Sequence, residues 1–152
     1  MLHASRRPLA WLIFDVGQNM STWSLQEGTA SLELSCESDG AGDYLAALEV
    51  RVDGFSGHAD GHVVGGEWDG FANDLRSLAQ TCKGEARFES AIAGEFELRV
   101  HSIDSLGHMG VSGLLRYRRV GVEDWPQQQF RFAFEFDPSK LSAFARCIAI
   151  SR

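Results

Sequence analysis

A chain of 152 residues, 44% hydrophobic and 23% charged, has the size and composition of one folded domain that buries about two thirds of its unfolded surface. Its formal net charge of −7 argues against the basic surface that phosphate recognition requires, and suits a basic partner. No run approaches the ~20 apolar residues of a membrane-spanning helix. Cys36, Cys82 and Cys147 are too scattered for a C-x-x-C site and, being three, cannot all pair within the chain, so a cytoplasmic location is expected.

The first segment, 1–19, carries Ser5-Arg6-Arg7 and a short apolar run, Leu9 to Phe14, which Asp15 closes. That run is shorter than an export signal requires and no cleavage site follows. Residues 1–19 read as an N-terminal extension or an extra edge strand, and 20–152 as a single domain. From Thr29 onward Leu32 and Leu34 alternate with Ser31, Glu33 and Ser35, which is the pattern of a half-buried strand. A turn cluster at Asp39–Asp43 follows, then a second alternation in which Leu48, Val50 and Val52 oppose Glu49, Arg51 and Asp53. His58 to Val64 reads as a further strand.

The period changes after Gly65-Gly66. Trp68, Phe71, Ala72, Leu75, Leu78, Ala79 and Cys82 fall on one helical stripe, which Lys83-Gly84 terminates. Phe96, Leu98 and Val100 then alternate with Glu95, Glu97 and Arg99, and Asp104–Gly107 turns the chain into a strand over His108–Arg119. Phe130, Phe132, Phe134 and Phe136 recur at a strict period of two, so they share one strand face. Asp137-Pro138 opens a last helix whose stripe is Leu141, Phe144, Ala145 and Ile148. The expected fold is α+β: an antiparallel β-sheet with two α-helices packed on one face, in the order strands, helix, strands, helix.

His58, Asp60 and His62 project from one strand face and are the candidate metal ligands of a small hydrolase; with Gly57 and Gly61 beside them, a solvated loop is the alternative. His101 and His108 flank the turn holding Asp104, where polar residues are ordinary. Gly110-Val111-Ser112-Gly113 lacks the spacing of a nucleophile elbow and reads as a weakened strand that another backbone approaches closely. Arg116-Tyr117-Arg118-Arg119 is a basic cluster suited to cross-strand pairing with Glu95, Glu97 and Glu135, or to an anion contact. Trp68 and Trp125 are the aromatic candidates for a small-ligand site. No catalytic or phosphate-binding motif emerges and no cofactor is expected. The outward charged row is a candidate docking face for a protein partner, with Glu49, Asp53, Glu95 and Glu97 as its acidic contacts.

E-W-x-x-F-x-x-x-L over Glu67–Leu75, F-E-L-x-V over Phe96–Val100, G-H-M-x-V over Gly107–Val111 and the closing strand-helix pair resemble small bacterial toxin-immunity domains, similar to the WapI immunity family. The likeness spans roughly residues 29–150. It implies an intracellular protein that binds and neutralises a toxin, with no chemistry of its own, and the acidic balance makes a basic toxin domain the expected partner.

Overall fold

The computed structural model describes residues 20–92, 95–117 and 128–149, the side chains of residues 144 and 147–149 excepted. The readings placed on residues 1–19, on Arg118, Arg119 and Trp125, and on the Phe144, Cys147 and Ile148 side chains lie outside these.

Four strands come first: β1 (Ser21–Glu27), β2 (Ala30–Ser38), β3 (Tyr44–Val52) and β4 (Phe55–Val63). Helix α1 (Gly65–Thr81) separates them from β5 (Glu85–Glu89), β6 (Phe96–Ser102), β7 (Met109–Tyr117) and β8 (Gln128–Phe136), and α2 (Ser139–Ala149) follows. Each set of four strands pairs with its sequence neighbours, antiparallel throughout, into a sheet of its own.

The α+β expectation of one sheet bearing two helices on one face is therefore wrong: the protein is mostly β, with two four-stranded sheets and two short helices. Joining them would require β4 to pair with β5. Instead β4 turns its inward face to the second sheet and meets β6 and β7. A Cβ on Gly57 would lie 2.6 Å from Phe130 Cδ1, and one on Gly61 3.0 Å from Phe96 Cε1, so both glycines are seats for rings of the second sheet. The segment is a strand and not a loop, although His58, Asp60 and His62 are solvent-exposed as that alternative held.

The helices do not share one sheet face either. Helix α1 inserts its stripe between the sheets, stacking Trp68 on Trp23 of β1 (ring centroids 5.5 Å apart) and setting Phe71 edge-on to Phe88 of β5 (4.7 Å). Val64 makes no side-chain cap, and the turn before β3 supplies one: Asp43 Oδ1 accepts from Gly65 N–H at 2.9 Å. Asp137 Oδ1 accepts from Ser139 N–H at 2.9 Å at the start of α2, as its sequence context predicts. Gly113 is the close approach anticipated for its segment, since a Cβ there would lie 2.5 Å from the Glu97 carbonyl oxygen and 2.6 Å from Phe132 Cζ.

Candidate functional site

Because Trp23, Leu34, Leu48 and their inward neighbours fill the core, the alternate residues of β1–β4 form an exposed face. Register places Ser24, Glu33, Glu49 and His58 in one cross-strand row and Thr22, Ser35, Ala47 and Asp60 in the next. Glu33 and Glu49 are thus directly opposite on the same exposed face, an arrangement that costs stability. Arg51 Nη2 lies 3.1 Å from Glu49 Oε1 and offsets part of that repulsion. Small side chains at Ser35 and Ala47 leave shallow depressions of about 400 and 210 Å³, bordered by Met20, Glu37 and Leu45 on one side and by Glu33, Glu49 and His58 on the other.

The exposed face of the second sheet is charged differently. Arg99 Nε pairs with Glu85 Oε2 at 2.6 Å, and Arg87 Nη2 lies 3.3 Å from Glu97 Oε2 and 3.9 Å from Glu89 Oε2. Arg116 and Arg131 alternate onto the same face, as does Glu135. Acids and bases are balanced there. On the first sheet Glu33, Glu37, Glu49 and Asp60 share the face with Arg51 and two histidines.

The four acidic residues expected to form one docking face are therefore divided. Glu49 lies in the acidic row of the first sheet, and Asp53 (φ +51°) caps the two-residue turn at its end. Glu97 is engaged by Arg87 on the other sheet, and Glu95 sits between the sheets with its carboxylate beside Gly61. Glu33 is missing from that expectation because strand alternation shows that it points outward but not which residue faces it.

His58, Asp60 and His62 do share one exposed row, but in a strand the row's ends stand about 13 Å apart, too far to converge on one ion. Among the described residues no group of three or more His, Cys, Asp or Glu side chains is placed to hold a metal. Trp68 is buried against Trp23, Tyr44, Phe71 and Phe88 and is a core residue, not a ligand-binding aromatic. Among the described residues Arg116 makes no ion pair with Glu95, Glu97 or Glu135, and its Nε is buried with no hydrogen-bond partner.

Of His101 and His108 only the second meets the carboxylate of the turn, since His101 Nδ1 lies 3.3 Å from the Ser102 carbonyl oxygen. His108 Nδ1 bonds Asp104 Oδ2 at 2.5 Å across the exposed β6–β7 turn. That hydrogen bond raises the His108 pKa above the ordinary histidine value and lowers that of Asp104. The His108 contribution to stability is fully present below its unfolded value, about 6.5, and is lost as pH rises through the raised folded value. The Asp104 contribution is present above its unfolded value, about 3.9, and is lost as pH falls through the lowered folded one. An NMR titration of His108 is expected to give an elevated pKa that returns toward the ordinary value in Asp104→Asn; an unchanged pKa in the variant would refute the pairing.

These features define a class: a mostly β, two-sheet domain whose first sheet presents an open acidic face. The chain belongs to the Immunity protein WapI-like family, whose model matches residues 26–149. Membership implies a protein partner, in general a toxin. No curated protein matches the chain. Among solved structures it is similar to the plant transcriptional regulator PBF-2, with a TM-score of 0.46, 7% identity, and coverage of 88% of this chain and 81% of that one. It is similar also to WHY1 from Arabidopsis thaliana, with a TM-score of 0.46, 8% identity, and coverage of 88% and 89%. Among the described residues no helix is long and apolar enough to cross a membrane.

Proposed function

We propose that the protein is an immunity protein that neutralises a basic toxin domain by binding it, with the exposed face of β1–β4 as the docking surface. The observation that carries this reading is the net acidic charge of the first sheet's exposed face, where among the described residues Glu33, Glu37, Glu49 and Asp60 stand with Arg51 and two histidines, beside a second sheet whose four outward glutamates are balanced by four arginines. Like charges stand opposite one another on both faces, Glu33 against Glu49 on the first and Arg87 against Arg99 and Glu89 against Glu97 on the second, so the unbalanced net charge of the first is what distinguishes it. Acidic charge steers a basic toxin into encounter, and a flat face with shallow depressions receives its side chains. We place this action in the cytoplasm, where Cys36 and Cys82 persist as free thiols; burial pushes the Cys36 thiol up to about 12, which keeps it unreactive. Of the acidic residues singled out from sequence, Glu49 and Asp53 belong to the docking surface under this proposal.

The test separates stability from binding. Glu33→Lys converts the repulsive pair into an attractive one, so the variant is expected to melt at or slightly above the parent, by about 0.2–1 kcal/mol in stability. Its association with a cognate toxin domain, sought among the genes adjoining its own, is expected to slow about tenfold at low salt, with a weaker salt dependence. Unchanged association for Glu33→Lys, alongside slowed association for Glu97→Lys, would move the interface to the other sheet. No binding by the parent protein would end the toxin-neutralising reading.

A further inference from the structure

We infer that the toxin also contributes an extended segment that adds as a strand along the free edge of β4, seated in the cleft between the two sheets. This deepens the toxin-binding reading above and rests on it.

The direction of the β4 backbone groups follows from the turn that precedes it. Asp53 (φ +51°) and Gly54 (φ +84°) form a two-residue hairpin loop closed by Val52 and Phe55. In such a hairpin the closing pair is hydrogen-bonded, and bonded and non-bonded pairs then alternate along the ladder. Counting outward, Ser56, His58, Asp60 and His62 all fall in non-bonded pairs, so their N–H and C=O groups point away from β3. One contact confirms the phase: the His62 carbonyl accepts from Ala91 N–H at 2.7 Å, from outside the sheet.

Among the described residues no hydrogen bond engages the outward backbone groups of Ser56, His58 and Asp60. The opposite edge of the same sheet is protected, since Lys140 Nζ of α2 donates to the outward carbonyl of Gln26 at 2.7 Å. Proteins commonly blunt exposed edges with lysine or proline, and β4 contains neither.

Beside this edge lies a cleft of about 430 Å³. Ser56, Gly57 and His58 line one wall, and Arg116, Tyr117 and Phe130 line the other. Three consecutive strand residues border a single cavity only along the strand's edge, because their side chains alternate between faces. Arg116 brings its guanidinium to this wall, and among the described residues its buried Nε has no hydrogen-bond partner. A backbone carbonyl or side-chain oxygen of an incoming strand would give that guanidinium an acceptor. Phe55 and Tyr117, 69% and 67% exposed, supply aromatic surface at the head of β4 and in the cleft wall. The fitting segment is therefore extended, offers an oxygen acceptor opposite Arg116, and carries a basic residue facing Asp60.

The experiment uses the full chain and a catalytically inactivated form of a cognate toxin domain, sought among the genes adjoining its own. Amide hydrogen exchange at His58 and Asp60, fast in the free protein, is expected to slow at least about tenfold in the complex. His58→Pro removes an N–H that serves no internal bond, so the variant is expected to fold and to bind at least about tenfold more weakly. Binding without protection at His58 and Asp60 would overturn strand addition while leaving the toxin reading intact. Absence of binding by the unaltered protein would remove both. Should His58→Pro fail to fold, exchange in the unaltered complex decides the question.

Discussion

Truncating Phe88 to alanine is expected to destabilise the protein by about 3–5 kcal/mol, a large share of the 5–15 kcal/mol that holds a typical domain. Phe88 is 1% exposed on β5 and stands in a continuous row of rings. Its ring meets Phe71 at 4.7 Å, Trp68 at 5.6 Å and Phe96 at 5.9 Å, each edge-on. Trp68 in turn stacks on Trp23, so the row runs from the first sheet through α1 into the second. The cavity left by truncation would open at the joint between the sheets, where no single element can collapse to fill it. Urea unfolding measures the loss directly. A cost under about 1 kcal/mol would mean that the ring row does not join the sheets, whereas alanine at exposed Phe55 should be nearly neutral.

Phe132→Asp is expected to prevent accumulation of folded protein. Phe132 is 6% exposed in the middle of β8, and its ring fills the space that Gly113 leaves on β7. A carboxylate placed there would be buried without a partner, at a cost of several kcal/mol on top of the lost aromatic burial. Ala133, one residue on, points outward, so Ala133→Asp should be tolerated. Soluble yield and thermal melting of the two variants check the register, and equal melting temperatures would show that β8 has been given the wrong inward face.

The elements with long, regular patterns were legible in the sequence. Four phenylalanines at period two mark β8, and the stripe from Trp68 to Leu78 marks α1, because local periodicity reports which side of an element is buried. The division into two sheets was not legible. Strand β5 is five residues long with only Ala86 and Phe88 inward, too brief to register as alternation, and without it the second set of strands lacks its first member. Gly57 and Gly61 suggested weakness in β4, yet each marks where a ring from the other sheet lands, which depends on tertiary packing alone. The site was half legible for the same reason. Alternation shows that Glu33, Glu49 and Glu97 face outward, but only register puts Glu33 opposite Glu49 and gives Glu97 to Arg87 on a different sheet.

The most direct measurement of the proposed docking surface is carboxylate footprinting of the protein alone and bound to a cognate toxin domain. Carbodiimide-promoted amidation of Glu33, Glu49 and Asp60 is expected to slow severalfold in the complex as that face loses water, while Glu85 and Glu97 on the second sheet react at unchanged rates. Slowed labelling of Glu85 and Glu97, with Glu33, Glu49 and Asp60 unaffected, would contradict the assignment of the acidic first sheet as the partner-binding face.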